Sequence, residues 1–372
     1  MHGSLTMEVV PTVYLCAEVA EEREQWRSIR SSFKTRRPHD DPAYLDLMAP
    51  EGAVNRMFYF ASEDVRVMYA FHLQPVDPAI LGQDYAGWST VTSPYGYGGP
   101  LLECAKDSAD PPPDVCEEWS KAWARWAQDN RVVSEFVRED LHQERLLPRT
   151  EGCHSIAQAN VVVPLDVDPE VRWRSYAAKV RKNVRRAGES GLRVVFSASA
   201  DAVATFHEVY LETMQRRQAS SQFDIGIDRL LAYVEDTRAA NEAIVALTMQ
   251  GSVTTSVELV LVGSREIYSF LGGTRPEAYP TRPNDLLKHE VCNWGHAHGL
   301  REYVLGGGFS PGDGIFQYKT SFAPDGLRDF YTRRVILNET VYDEMVASRR
   351  AMAIQQGASW HPRDDYFPVF LS

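Results

Sequence analysis

The sequence has no long apolar segment and no other mark of a membrane-spanning or secreted chain. Its 372 residues contain no uncharged apolar run of about 18 residues, the length that a spanning helix needs. The first residues, MHGSLTMEVVPTVYL, lack the basic stretch and the apolar core of a secretory signal. We therefore expect a cytoplasmic protein without a membrane span.

Cysteine is scarce and scattered. The five cysteines are an odd number and form no C-x-x-C pair, the spacing typical of zinc and redox sites, so free thiols in a reducing compartment fit best. His289, Cys292 and His296 share one helical face, which in principle suits zinc. Trp294 beside them and the lack of a fourth nearby ligand favour a packed amphipathic helix. We predict no metal and no cofactor.

Motifs for nucleotide binding and covalent catalysis are missing too. The segment GGGFSPGDG follows a strand, as phosphate loops do, but it satisfies neither G-x-G-x-x-G nor G-x-x-x-x-G-K-[ST], and no helix pattern follows it. GFSPG, residues 308–312, matches G-x-S-x-G in its letters, but no helix pattern follows it, as a nucleophile elbow would require. The sequence therefore indicates chemistry without a nucleotide-binding loop or a nucleophile elbow.

Positive charge is in deficit, with 39 basic against 51 acidic side chains and a net charge of −12. This balance argues against a protein that coats nucleic acid, and we predict no DNA partner. The local exception is KVRKNVRR, residues 179–186. This segment is either a solvated helix face or a site that attracts a polyanion, in which case binding would depend on salt.

Clear helix and strand signals mark the second half of the chain. Asp168 is a good N-cap for a helix that Gly191 ends, and another helix begins near Asp201. A further helix starts at Asn284 and ends before Gly299. Between these helices lies an antiparallel meander of three β-rich runs, and a last strand, EYVLGGG, closes the unit. The runs are AIVALTM, TTSVELVLV and EIYSFLGG.

The first half shows a fainter version of the same order. Hairpin strands around RMFYFA and VRVMYAFHL precede the loop SPYGYGGPLLE, a helix near residues 115–128 and the strand RVVSEFV. This order is similar to that of the acyltransferase superfamily that includes the small N-acetyltransferases. We predict an α+β protein of two tandem GNAT-like domains, a duplicated acyl-CoA N-acyltransferase-like fold, with a cleft between them. Residues 1–166 are expected to form the first domain with the C-terminal segment 335–372, and residues 167–334 the second.

The segment GGGFSPGDGIFQYKTSF places a lysine, Lys319, among aromatic residues just after a glycine-rich strand end. Alternation of Phe316, Tyr318 and Thr320 with polar residues is consistent with a strand that carries a solvated lysine. Alternatively, a lysine at such a strand end is a good point charge for a phosphate or a developing oxyanion.

Four segments resemble the Fem family, the aminoacyl-tRNA-dependent transferases that build peptidoglycan cross-bridges, and its acyltransferase relatives. The resemblance covers nearly the whole chain, through order, spacing and residue types in the second half and mainly through SPYGYGGPLLE in the first. The second-half segments are WRSYAAKVRKNVRRAGESGLRV, YLETMQRRQA, PNDLLKHEVCNWGHAHGL and YVLGGG…GIFQYKTSFAP.

In the first half, the resemblance implies an acceptor-binding loop. SPYGYGGPLLE is similar to the family's R-G-P-x-x-D segment, and glycine stands at Gly98 where that motif usually has arginine. By resemblance, Tyr95 or Tyr97 would hydrogen-bond the acceptor. Glu103 would be the acidic residue near the acceptor amine.

In the second half, the resemblance implies further site residues. Lys319 matches a lysine that contacts acceptor phosphate or stabilises the reaction centre, and Arg216 matches a phosphate-contacting arginine in T-M-x-R. Tyr268 lies on a meander strand where members of the family often place an acceptor-binding tyrosine. Phe316 and Tyr318, the aromatic neighbours of Lys319, are expected to contact substrate. Lys319 and Glu103 are thus the candidate catalytic residues.

The activity implied is transfer of an aminoacyl group from aminoacyl-tRNA to an amine of a peptidoglycan precursor or a peptide-like natural product. Aminolysis of an activated ester needs aligned substrates, a deprotonated amine and charge stabilisation at the carbonyl oxygen, but no side-chain nucleophile. We expect contacts to tRNA from Arg181, Lys182 and Arg185 in the basic segment.

The sequence leaves two other functions open. One is an acyl-CoA-dependent N-acyltransferase of the same fold, although RPEAYPTRPNDLL lacks the glycines of the pyrophosphate-binding turn R/Q-x-x-G-x-G/A. The other is a non-catalytic ligand-binding protein on this scaffold, against which the retention of Lys319 and Arg216 argues.

Overall fold

A computed structural model describes most of the chain, which separates into two compact units. Unit 1 comprises Met1–Lys34, His39–Ile156 and Tyr331–Ser372, and unit 2 comprises Thr35–Pro38 and Ala157–Phe330. The described residues are 12–105, 111–217, 223–310 and 312–372.

The helices and strands of the chain alternate in blocks. The first block, up to residue 138, contains β1 (Thr12–Cys16), α1 (Ala20–Ser32), α2 (Pro42–Met48), β2 (Val54–Ala61), β3 (Val65–Pro75), α3 (Pro78–Leu81), β4 (Ser89–Thr92), β5 (Leu101–Cys104), α4 (Pro113–Asp129) and β6 (Val132–Arg138). The next contains β7 (Cys153–Pro164), α5 (Pro169–Ser175), α6 (Ala178–Glu189), β8 (Leu192–Ser197), α7 (Ala200–Arg217), α8 (Ile227–Asp236), β9 (Ala243–Gln250), β10 (Val253–Val262), β11 (Glu266–Thr274), α9 (Pro283–Ala297), β12 (Glu302–Gly306) and α10 (Gly314–Thr320). The chain continues with β13 (Leu327–Ile336) and α11 (Glu339–Gln355).

The strands of unit 1 follow the order β1-β2-β3-β4-β6-β13, and β5 also pairs with β3. Neighbours are antiparallel except β4 and β6, which are parallel and are connected through β5 and α4. Helix α4 buries Val115, Trp119, Trp123 and Ala127, residues four apart that form one apolar face.

In unit 2 the strand order is β8-β9-β10-β11-β12-β7. Only β11 and β12 are parallel, and α9 connects them. The series β8-β9-β10-β11-α9-β12 therefore repeats the series β1-β2-β3-β4-α4-β6 of unit 1, apart from the added β5. The predicted duplication of an α+β fold is confirmed.

The core of unit 2 forms where α6 and α9 cover the sheet. Val180 and Val184 from α6 and Leu287 and Val291 from α9 are buried in one cluster with residues of β7, β10, β11 and β12. Their spacing of four residues gives each helix a single apolar stripe, and burying that stripe supplies most of the stability of such helices.

Three local predictions are wrong. The segment GIFQYKTSF is not a strand: it forms helix α10, because Asp313 caps the first turn and accepts a hydrogen bond from the Phe316 amide at 2.7 Å. The helix expected from Asp168 to Gly191 is interrupted at Tyr176, whose backbone is extended, giving α5 and α6. In the first half, the segment predicted as a loop after β4 includes a strand, β5.

A search of the helices in the described ranges finds none that is both long enough and apolar enough to cross a bilayer.

Candidate functional site

The parallel strands β11 and β12 of unit 2 pair over only a short stretch. Their register runs from Glu266 opposite Glu302 to Tyr268 opposite Val304. Beyond that point β11 continues to Thr274, whereas β12 ends at Gly306. In the described part of the chain, no ladder pair joins β11 and β12 beyond Tyr268 and Val304, and this end of the pair forms an opening where a ligand can bond polar groups of the backbone.

A buried ion pair lies beside this opening. The Lys288 ammonium of α9 donates to Glu258 Oε1 of β10 at 2.8 Å, to Ser269 Oγ of β11 at 2.6 Å and to the Tyr303 hydroxyl of β12 at 3.1 Å. Lys288 is 7% exposed and Glu258 is 1% exposed. The four elements that surround the opening are thus joined by one network, which holds Lys288 rigidly because all three of its donors are used.

The Glu258 carboxylate has spare hydrogen-bonding capacity. Its Oε1 atom accepts from Lys288 and from the Tyr303 hydroxyl, but its buried Oε2 atom has no partner among the residues that the structure describes. Burial raises the pKa of Tyr303 well above its usual range, and the Glu258 charge raises it further, so this hydroxyl stays protonated. An unpartnered buried carboxylate oxygen is costly, and such atoms often have a functional role.

Lys319 lies at the glycine-rich end of β12. Its ammonium group donates a hydrogen bond to the Gly307 carbonyl at 2.6 Å. Burial, and to a lesser extent the neighbouring positive charge of Lys288, lowers the pKa of Lys319 to about 8. At neutral pH the side chain is still mostly charged, and an ammonium group has two more N–H donors than this bond uses.

Tyr318 and the first turn of α9 are joined next to Lys319. The Tyr318 hydroxyl accepts a hydrogen bond from Asn284 at 2.9 Å, and Asp285 accepts one from Asn183 of α6 at 3.0 Å. Burial raises the pKa of Asp285. The N-terminal turn of α9 therefore contains the carboxyl group of Asp285.

The other predicted residues of unit 2 lie around this region. Phe316 is half-buried in α10 and packs against the core of unit 2. Tyr268 is buried in the last parallel pair of β11 and β12. Arg216 is exposed at the end of α7, where it donates to the carbonyl of Thr274, the last residue of β11, at 3.2 Å. The structure thus brings Phe316, Tyr318 and Lys319 together on one short helix and places Arg216 at the far end of β11.

The predicted residues of unit 1 form a separate group. The Glu103 carboxylate is ion-paired with Arg66 and accepts from the Lys34 amide at 2.7 Å. Tyr97 is 8% exposed and meets the His39 ring edge-on, whereas Tyr95 is 39% exposed. The Glu103 charge is therefore balanced by Arg66, and Tyr95 is the more accessible tyrosine.

The glycines of SPYGYGGPLLE have a packing role. Gly96 has a φ of +93°, and a Cβ atom there would lie 2.9 Å from His39 Nε2. Gly99 has a φ of +94°. The density of glycine in this loop thus follows from left-handed backbone and close contacts with buried side chains.

The basic side chains of helix α6 differ in their exposure to solvent. Lys182 and Arg185 are exposed, and the Arg185 guanidinium lies 5.4 Å from the centre of the Trp173 ring. Arg181 is half-buried and donates to the Tyr176 and Arg174 carbonyls, so it ties α6 to the interruption before it. Of the three predicted tRNA contacts, Lys182 and Arg185 are the accessible ones.

Sequence reasoning missed the buried pair of Glu258 and Lys288. One signal was present, since Glu258 is the only charged residue in the apolar run TTSVELVLV. Lys288 follows Leu287 directly on the buried side of α9. A lone charge on an apolar face predicts a partner, but it does not say which residue the partner is.

The second half of the chain matches a family of known domains. Residues 174–320 match the family described as Acetyltransferase (GNAT) domain. Among curated proteins there is no significant match.

Solved structures share the fold over most of its length. FemX is 12% identical with a TM-score of 0.66, covering 86% of this chain and 97% of its own. A conserved protein of unknown function from Bacteroides thetaiotaomicron VPI-5482 is 11% identical with a TM-score of 0.54, covering 88% of this chain and 100% of its own. The C-terminal domain (DUF2156) of a putative lysylphosphatidylglycerol synthetase from Agrobacterium fabrum is 13% identical with a TM-score of 0.51, covering 90% of this chain and 97% of its own.

The repeated topology and the match of residues 174–320 show a duplicated GNAT fold, and the family match supports an acyltransferase. The resemblance to the Fem family and its acyltransferase relatives is confirmed by the FemX-like fold.

Proposed function

We propose that this protein transfers an aminoacyl group from aminoacyl-tRNA to an amine, either of a peptidoglycan precursor or of a peptide-like natural product. The observation that carries the proposal is the place of Lys319, whose charged group lies where β11 and β12 have stopped pairing. The likeness of the fold to FemX supports the donor. The reaction would take place in the cytoplasm and would use no cofactor.

In the proposed reaction, the neutral amine attacks the carbonyl carbon of the ester that joins the amino acid to the tRNA ribose. A C–N bond forms, the ester C–O bond breaks, and the ribose oxygen leaves with a proton that the attacking nitrogen gives up. Lys319 stabilises the negative carbonyl oxygen of the tetrahedral intermediate. Such a preorganised charge typically lowers the activation barrier by on the order of 3 kcal/mol.

The first turn of α9 argues against a CoA donor. Small N-acetyltransferases resembling unit 2 bind the CoA pyrophosphate with a glycine-containing turn, and here the corresponding segment lacks those glycines. The same turn contains Asp285, 7% exposed, whose carboxyl group accepts from Asn183. Negative charge close to a pyrophosphate would repel it, and the helix N-terminus already has this acidic side chain in its first turn.

For the acceptor, we propose Tyr95 and Tyr97 as contacts and Glu103 as the acidic residue near the amine. Tyr95 is accessible, and the Arg66 pairing holds Glu103 in one orientation. Arg216 and Tyr268, together with Phe316 and Tyr318, remain proposed substrate contacts in unit 2.

Charge reversal on α6 tests the tRNA part of the proposal. Lys182→Glu combined with Arg185→Glu should weaken binding of aminoacyl-tRNA, and the slope of log affinity against log salt should become shallower by about one for each phosphate that α6 no longer neutralises. The matched control is Lys121→Glu combined with Arg125→Glu on α4, which makes the same charge change on an exposed helix of unit 1. Equal effects of both pairs, or no effect of the α6 pair, would contradict a tRNA path along α6.

A second candidate is an acyl-CoA-dependent N-acyltransferase, favoured by the match of residues 174–320 to the GNAT domain family. Product formation by an acyl-CoA-dependent enzyme would survive RNase treatment, whereas product formation from aminoacyl-tRNA would not.

A further inference from the structure

Arg138, the last residue of β6 in unit 1, lies against the loop that begins at Ser93. The Ser93 amide donates to the Phe136 carbonyl at 2.9 Å, and the Arg138 amide donates to Ser93 Oγ at 2.8 Å. These two bonds fix the end of β6 beside the loop that contains Tyr95. The guanidinium of Arg138 therefore occupies a defined place.

Among the described residues, this half-buried guanidinium has no acidic partner. Its only side-chain hydrogen bond within the described ranges is a long one, 3.5 Å from Nη1 to the Ser93 carbonyl, and its central carbon lies 4.9 Å from the centre of the Phe136 ring. Among the residues that the structure describes, no carboxylate lies within ion-pair distance of Arg138. A guanidinium has five N–H donors, so most of its capacity is unused.

Other buried arginines of unit 1 show what is missing. Arg149 makes two bonds to the Glu135 carboxylate, at 2.9 and 2.7 Å, and Arg333 makes one to Glu139 at 2.8 Å. Burial lowers the pKa of Arg138, which indicates that the charge is removed from water without compensation by an acid.

Three tyrosines influence the charge of the Arg138 guanidinium. They are Tyr95, Tyr366 and Tyr44. Tyr95 is 39% exposed and Tyr366 is 41% exposed, and Arg138 itself is half-buried. Phe367, next to Tyr366, packs on Phe136 with ring centres 6.5 Å apart, which brings the C-terminal segment to the same place. A half-buried cation without an acidic partner among the described residues suits an anionic ligand.

We propose that Arg138, with Tyr95 and Tyr366, forms a binding site for an anionic group, a phosphate or a carboxylate. The planar guanidinium would hold two oxygens of this group at once, and its contact with the Phe136 ring helps to hold it in place. The assignment of this anion to the acceptor molecule rests on the proposed function. Binding of an anion at Arg138 does not depend on that function.

Titration of the full chain with two probes, inorganic pyrophosphate and succinate, tests the site. Calorimetry gives the affinity, and the Arg138 Nε–Hε resonance, assigned by its loss in Arg138→Gln, reports whether the anion binds at this place. We expect one probe to shift this resonance and to bind at least tenfold more weakly to Arg138→Gln. Arg138→Lys should retain part of the affinity, because it keeps the charge but loses the two-oxygen geometry.

Arg125→Gln on α4 is the control, since it removes one exposed positive charge of the same unit and should leave both readouts unchanged. Selective binding of pyrophosphate would identify a phosphate site, and selective binding of succinate a carboxylate site. An unshifted resonance with both probes, or equal affinity of wild type and both Arg138 variants, would overturn the proposal. If an anion binds at Arg138 but the protein does not turn over aminoacyl-tRNA, the anion site is supported and the proposed reaction is rejected.

Discussion

Replacing Lys319 with methionine should make the protein more stable and less active at neutral pH. The pKa of Lys319 falls from 10.5 to about 8 in the folded chain, mainly through burial. At about 1.4 kcal/mol for each unit, holding the charge in the fold costs about 3 kcal/mol at pH 7. Lys319→Met removes this cost, and it also loses the hydrogen bond to Gly307, worth about 1 kcal/mol. The net gain in the free energy of unfolding is about 2 kcal/mol.

The sign of the pH dependence makes this prediction specific. Between pH 8 and 10.5 the unfolded chain binds more protons at this position than the folded chain, so wild-type stability rises with pH across that window. The methionine variant has no such rise, and its advantage should therefore disappear by about pH 10.5. Urea unfolding at pH 7 and at pH 10.5 measures both values.

Lys121→Met is the control, because Lys121 is an exposed lysine of α4 paired with Glu117. It should change the free energy of unfolding by less than about 0.5 kcal/mol at either pH. A Lys319→Met variant with no gain at pH 7, or with a gain that does not depend on pH, would refute the reasoning. Turnover of the same variant should fall roughly a hundredfold, as expected when one preorganised charge is removed.

Further outcomes follow from the same structure. Glu258→Gln and Lys288→Met should each cost about 3 to 5 kcal/mol, while the double variant costs less than their sum, since either single change strands a buried partner; additive costs in urea unfolding would contradict a coupled pair. Gly96→Ala should lower the free energy of unfolding by about 1 to 3 kcal/mol because of its left-handed backbone and the contact with His39. Gly188→Ala in α6, where a Cβ atom meets nothing within 4 Å, should instead raise the free energy of unfolding by up to about 1 kcal/mol. Changes of the same sign in the two glycine variants would count against this account.

The general order of the elements could be predicted because it depends on local patterns. Asp168 and Gly191 bounded the helical region that contains α6, and Val180, Val184 and Ala187 of this helix are buried in the core of unit 2. The meander β9-β10-β11 followed from apolar runs that are separated by turn residues.

The exceptions arise where side chains override the pattern. Asp313 caps α10 in a segment whose alternation resembled a strand. The extended backbone at Tyr176, held by Arg181, interrupts a pattern that would suit one continuous helix.

The candidate site was less predictable than the fold. Lys319 stood out as a lysine after a glycine-rich strand, and its bond to Gly307 places it there. Its surroundings, however, depend on how α9 lies on the sheet, since Lys288 reaches Glu258, thirty residues before it in the chain, only through that packing. Such contacts between distant residues leave no periodic trace in a single sequence. For the same reason, Arg138, which has no carboxylate partner among the described residues, could not be recognised before its neighbours were known.

The donor is the central claim, and one measurement tests it most directly. The purified protein is incubated with a panel of amines and with either aminoacyl-tRNA or acyl-CoA, with and without RNase, and amide products are measured by mass spectrometry. We predict an amide product with aminoacyl-tRNA that RNase pretreatment of the donor abolishes, and none with acyl-CoA. Product formation from acyl-CoA that persists after RNase treatment, without any from aminoacyl-tRNA, would contradict the account.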